Sequence, residues 1–225
     1  MEPSKLYFER QFAKSLYLIQ EMGRLTDKLG AVLVDHQDIS PFAPTAVQFA
    51  LIARETPNAI IELLRRGYLG QPYVLLRWYL EMAHLSYYLW QNPDRHSAWL
   101  LGKDVKPGSV RKFMRKEGFP DWGGVYDEWS GLVHGSAKLL LNYHKLERLG
   151  RKRSEHEVII GNALVYLMWY GQKTNYVLAK LLQDSLGNSI NHLARRYVEL
   201  DDKVSDITRE LSVSSDPTVD GKITE

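Results

Sequence analysis

The amino-acid sequence predicts an all-α protein, an up-and-down helical bundle with extra short helices. Apolar residues recur every three or four positions over long stretches, and Pro or Gly residues separate these stretches. No run that alternates apolar and polar residues is flanked by hairpin turns, so strands are not expected. We expect a single helical domain over residues 1–211, and the Ser-, Asp- and Thr-rich residues 212–225 are predicted to form a disordered tail.

The first two long helices are predicted from their apolar stripes. One stripe begins at Phe8 and predicts a long helix that ends near Asp35. A second helical stretch follows from Thr45 to Gly67. Within it, Thr56 and Pro57 have the pattern of an N-cap followed by a first-turn proline, so we expect a kink or a restart at this point.

Proline also marks the start of the next helices. Pro72 begins a strongly apolar helix that reaches about Trp90, and Pro93 begins a short one. A basic helix is expected near Ser109–Glu117. The helix after it is predicted to carry Tyr126 and to end near Leu140.

The C-terminal part of the domain is predicted to contain two helices. Ser154 and Glu157 have the spacing of a capping box, which predicts the start of a long helix that ends at Leu186. Gly187 is a candidate C-cap. The last helix is expected from Ser189 to Leu211, with charges of both signs along it.

Composition excludes several classes of protein. The chain has no cysteine, so disulfides, thiolate metal sites and cysteine nucleophiles are ruled out. The first residues lack the apolar core of a signal peptide. The most apolar stretch, Val158 to Tyr170, is shorter than the ~20 residues that a membrane span needs. We therefore predict a cytoplasmic protein that does not bind a membrane.

Two basic segments are candidate contacts for the phosphates of RNA, although such runs are also typical of ordinary solvated surfaces. Residues 103–116 and 138–153 each carry six basic residues and one acidic residue, a net charge of +5. The candidate substrate-binding residues are Lys112, Arg115, Lys116, Arg151 and Arg153, together with Tyr126.

Two polar groups at helical spacing are the candidate functional residues. Arg77, Glu81 and His84 lie within roughly 60° of one another on a helix that is otherwise apolar. Because an isolated charge is costly to bury, an ion pair between Arg77 and Glu81 is expected.

The second group is Tyr126, Ser130 and His134, which also share one helical face. If the two faces meet, one hydrogen-bonded network would contain a cation, a carboxylate and up to two imidazoles. Such a network would be either a structural core that fixes which helices pair or a catalytic or ligand-binding site. A third alternative is a small-molecule pocket with aromatic walls. Its candidate residues are Trp78, Tyr87, Tyr88, Trp122, Tyr126 and Trp129.

No metal or cofactor is predicted. Glu81 and His84 form a Glu-x-x-His pair of the kind that binds iron in helical bundles, but no second copy occurs in the chain. The glycine-rich loops that bind nucleotide phosphates are absent from the sequence as well.

The motifs Leu75-Leu76-Arg77-x-x-x-Glu81 and Tyr126-x-x-x-Ser130-x-x-Val133-His134 resemble those of an uncharacterised prokaryotic all-helical family. The chain is also similar to the HEPN superfamily of helical bundles, whose signature is an Arg followed by four to six residues and a His. Arg77 and His84 fit this spacing, as do Arg151 and His156.

The resemblance to HEPN proteins implies a metal-independent endoribonuclease of a toxin or phage-defence type that acts as a homodimer on RNA. Arg77 would then stabilise the scissile phosphate, and a neutral His84 or His134 would accept the proton of the 2′-hydroxyl. The alternative function is a non-catalytic bundle for protein interaction or oligomerisation, in which the Arg, Glu, Ser and His network is structural.

Overall fold

The computed structural model describes residues 3–68, 70–118 and 153–213, and all regular structure within these residues is helical. The predicted all-α bundle is confirmed. Before residue 119 the helices are α1 (Pro3–Gln11), α2 (Ala13–Asp35), α3 (Ala43–Arg65), α4 (Gly70–Gln91), α5 (Pro93–Leu100) and α6 (Pro107–Lys116). After residue 152 they are α7 (Arg153–Leu186) and α8 (Asn191–Val213).

Four long helices form the centre of the bundle. α2 packs on α3 and on α7, and α4 packs on the other sides of α3 and α7, so the four helices enclose one core. The apolar stripes of these helices face inward, and Leu29, Leu76 and Leu164 are each 0% exposed. Burying one such side chain contributes about 1.5–3 kcal/mol. None of the described helices is long and apolar enough to cross a membrane.

The remaining helices cover this centre. α8 lies against α2 and α7, while the short helices α5 and α6 pack on α4. A buried polar contact fixes α2 against α7. The Thr26 hydroxyl lies 2.8 Å from Asn175 Oδ1, and Asn175 Nδ2 donates to the carbonyl of Met22 at 3.2 Å. Because all these groups are buried, their hydrogen bonds specify how the two helices align.

Helix α3 passes through a proline, so of the kink or restart predicted at Thr56 and Pro57, the restart is wrong. Pro57 has no N–H, so the carbonyl of Ala53, four residues earlier, loses its usual partner. The hydroxyl of Tyr79 on α4 donates to this carbonyl at 3.4 Å. A neighbouring helix therefore supplies the missing donor, which allows α3 to continue to Arg65.

Other boundaries differ from the predicted ones by a few residues. The first apolar stripe is divided into α1 and α2 at Phe12, although the stripe itself is uninterrupted. α3 ends just before Gly67, which adopts a φ of 80° that glycine tolerates well. Val213 ends α8, and the rest of the predicted tail, 214–225, lies outside the described residues.

Candidate functional site

The site begins with an ion pair on α4. Arg77 Nε lies 3.1 Å from Glu81 Oε1, one helical turn away, as the sequence led us to expect. Arg77 is 9% exposed, whereas the side chain of Glu81 is 31% exposed. The guanidinium is therefore held mostly within the bundle by a carboxylate that solvent can reach.

His84 follows on the same face of α4 and is half-buried against α7. Its ring packs edge-on against Tyr170, with 6.1 Å between the ring centroids. Burial, together with the nearby charge of Lys173, lowers the pKa of His84 to about 4. The imidazole is therefore neutral at pH 7 and can accept a hydrogen bond.

The part of α7 that faces His84 is rich in tyrosine. Tyr166 stacks on Tyr170 with centroids 6.1 Å apart, and burial raises the pKa of the Tyr170 phenol well above its usual value. Lys173 lies one turn further along α7, and burial lowers its pKa. Tyr166, Tyr170 and Lys173 were not identified from the sequence as members of the site. The available signal was their spacing of four and three residues, which places them on one helical face.

Helix α6 packs against this part of α4 and carries basic side chains on its other side. Phe113 of α6 contacts both Tyr88 and Tyr87, with ring centroids 5.3 and 6.2 Å apart, one turn after His84. Val110 and Met114 are buried in the same interface. The opposite side of α6 exposes three candidate substrate-binding residues, Lys112, Arg115 and Lys116. We call these three side chains the α6 basic face.

The second predicted polar group cannot be placed against the first. Tyr126, Ser130, His134 and Arg151 lie outside the described residues, as do Trp122 and Trp129. Arg153 is the first residue of α7. The proximity of Arg77 and Glu81 to Ser130 and His134 thus stays a prediction.

The described members of the predicted aromatic pocket do not share one wall. Trp78 is exposed on α4, whereas Tyr87 and Tyr88 are buried in the helix interfaces. Likewise, no group of three His, Asp or Glu side chains within the described ranges is arranged to hold a metal ion.

Comparison with known proteins gives no relative from which a role could be transferred. No protein-family model, curated protein or solved structure matches the chain significantly.

Proposed function

We propose that this chain is a HEPN-like domain that binds single-stranded RNA and cleaves it without a metal ion, as toxin or phage-defence ribonucleases do. The observation that carries the proposal is the packing of α6, which carries exposed cations, on the turn of α4 that follows the neutral imidazole of His84. His84 is uncharged at pH 7, and Phe113 of α6 packs on the tyrosines one turn after it, while the α6 basic face lies on the other side of α6. Cations attract the phosphates of RNA, and a neutral imidazole can act as a general base.

The proposed reaction is an internal transfer of the phosphate. His84 accepts the proton of a 2′-hydroxyl, the 2′-oxygen attacks the adjacent phosphorus, and the bond to the 5′-oxygen breaks. The products are a 2′,3′-cyclic phosphate and, once the leaving oxygen has taken a proton, a 5′-hydroxyl. His134 is the second candidate for the base, and Ser130 and Tyr126 are its proposed hydrogen-bonding neighbours.

In this proposal, Arg77 and the α6 basic face have different roles. The guanidinium of Arg77 is mostly buried, and its Nε is bound to Glu81 Oε1. The side chains of the α6 basic face are exposed to solvent. We therefore assign phosphate binding to α6, and to Arg77 the stabilisation of charge that develops during the reaction.

A second candidate function is a non-catalytic bundle that binds a partner protein or a second copy of itself. The burial of Arg77 and its contact with Glu81 favour this alternative, because ion pairs of this kind also occur as purely structural elements. A homodimer is compatible with both candidates, since HEPN sites form across a dimer. Light scattering of the purified chain would report its oligomeric state.

The two candidates are separated by incubating the protein with single-stranded RNA in the presence of EDTA. We expect cleavage products with 2′,3′-cyclic phosphate ends, and a His84→Gln variant slowed by about 100-fold or more, the usual contribution of a general base. The control is His192→Gln, which changes an exposed histidine on α8. His134→Ala tests the other candidate base.

Phosphate binding is tested with an α6 charge variant, in which Lys112, Arg115 and Lys116 are all replaced by Gln. This variant should bind RNA more weakly while unfolding at the same temperature as the parent, because the three side chains are exposed. A parent that leaves RNA intact, or a His84→Gln variant as active as His192→Gln, would rule out His84 as the catalytic base. A parent that neither binds nor cleaves RNA would favour the non-catalytic candidate.

A further inference from the structure

A cavity of about 260 Å³ lies between α2 and α3 and opens to solvent. Exposed polar side chains surround its mouth, and its floor includes Tyr79 of α4 and Leu167 of α7, each 1% exposed. At about 30 Å³ for each water molecule in the liquid, this volume corresponds to roughly nine waters. A ligand of about eight to ten non-hydrogen atoms would fill it.

Gly23 of α2 lines this cavity, although neither the backbone nor the packing of α2 requires a glycine there. The residue lies in the middle of the helix and its φ is not positive. A Cβ at this position would meet no atom within 4 Å, whereas a Cβ on Gly30 would touch Ala50 of α3 at 3.4 Å. Glycine destabilises the middle of a helix relative to alanine. The structural effect of glycine at position 23 is therefore to leave more space in the cavity.

Two guanidinium groups stand at the mouth of the cavity. Arg54 of α3 lies 3.1 Å from the Asp27 carboxylate of α2, and Arg24 of α2 pairs with Glu21. The side chains of Arg24 and Arg54 are 65% and 55% exposed. A guanidinium has five N–H donors, so each can bind a further anion from solvent while it keeps its present partner. Because the lining residues include these two cations and one anion, Asp27, their net charge is +1 and favours a negatively charged ligand.

We propose that this cavity binds a small organic carboxylate with a compact apolar body, such as an aromatic ring. The ligand carboxylate pairs with Arg24 and Arg54, since planar guanidinium groups match carboxylate geometry. The apolar body occupies the space over Gly23, between Ile19 of α2 and Pro57 of α3. This binding site goes beyond the proposed RNA cleavage and does not depend on it.

The test compares benzoate with benzamide and acetate by NMR titration of the full chain at constant ionic strength. Benzamide has the shape of benzoate without its charge, and acetate has the charge without the ring. We expect saturable binding of benzoate with a Kd of about 1 mM or tighter, and binding of either of the others weakened about tenfold or more. The backbone amide signals of Gly23 and Arg54 should shift during the titration.

One pair of variants tests the charge. Arg54→Gln should weaken benzoate binding about tenfold or more, because it removes a charge-assisted hydrogen bond to the carboxylate. The matched control is Arg66→Gln, which changes an exposed, ion-paired arginine that does not line the cavity. This control should bind benzoate within about twofold of the parent.

A second pair of variants tests the space. Gly23→Leu should abolish benzoate binding, because the added side chain occupies the cavity, and it should unfold at a temperature no lower than that of the parent. The matched control is Gly108→Leu on α6, where a Cβ also meets no atom within 4 Å but no cavity wall is changed. Gly108→Leu should bind benzoate as the parent does.

Four results would overturn the proposal. One is no saturation by benzoate up to about 20 mM, which would indicate a cavity that holds water only. Benzamide binding as tightly as benzoate would exclude a role for the arginines, and acetate binding as tightly would exclude a role for the apolar walls. Undiminished binding by Gly23→Leu would locate the ligand outside the cavity. RNA cleavage is not a readout in these experiments, so their failure would leave the proposed ribonuclease activity unaffected.

Discussion

Acidification should lower the stability of this protein through the imidazole of His84. Burial and the charge of Lys173 lower the pKa of His84 from its usual 6.5 to about 4 in the folded chain. In the unfolded chain the imidazole titrates near its usual pKa. Between these two values the unfolded state binds a proton that the folded state does not bind, so the free energy of unfolding falls as the pH falls. The loss begins near pH 6.5 and is complete near pH 4.

The size of this effect follows from the difference between the two pKa values. Each pH unit across the window costs about 1.4 kcal/mol, so the whole window corresponds to about 3 kcal/mol. At pH 5 the loss is about 2 kcal/mol. A domain with a typical stability of about 5–15 kcal/mol would remain folded, but the change is large enough to measure.

The assay is urea unfolding of the parent and of His84→Gln at pH 7.5 and pH 5. Glutamine does not titrate, so the parent should lose about 2 kcal/mol more than the variant on acidification. His96 is also buried with a lowered pKa, but it is present in both proteins and its contribution cancels. The exposed-histidine variant His192→Gln should behave as the parent does. Equal losses in parent and His84→Gln would show that His84 is not held neutral by burial.

Three further predictions concern stability and RNA binding. Asn175→Ala should cost about 2–4 kcal/mol in urea unfolding, because it removes the hydrogen bonds to Thr26 and Met22 from a fully buried position; a cost below about 0.5 kcal/mol would contradict this. Thr45→Val should cost about 1–3 kcal/mol, since it removes the 2.9 Å contact with His96 Nε2 in a buried site, and calorimetry would detect the change. For the α6 charge variant, the slope of log affinity for single-stranded RNA against log salt should decrease by about 2, and an unchanged slope would exclude α6 from the interface.

The parts of the fold that depend on local pattern could be predicted from the sequence. The apolar stripe of α2 and the prolines near the starts of α4 and α5 predict where these helices lie to within a few residues. The contact of Arg77 with Glu81 was also predictable, because their spacing and the apolar helix around them leave few other partners. In each case, residues close in sequence determine the result.

The remaining features depend on contacts between distant residues. The continuation of α3 through Pro57 is accompanied by a hydroxyl from another helix, whereas the local pattern predicted a kink or a restart. The low pKa of His84 arises from burial against α7, almost ninety residues later in the chain. The cavity between α2 and α3 likewise depends on how two helices pack, which their own sequences do not specify.

The contact between Tyr79 and the carbonyl of Ala53 has an evolutionary consequence. Proline at position 57 removes a donor from α3, so it is better tolerated when position 79 carries a hydroxyl. With alanine at position 57, the helix regains its own N–H and phenylalanine at position 79 becomes acceptable. The two positions should therefore show epistasis: proline at 57 and phenylalanine at 79 are each acceptable in some chains, and their combination is selected against.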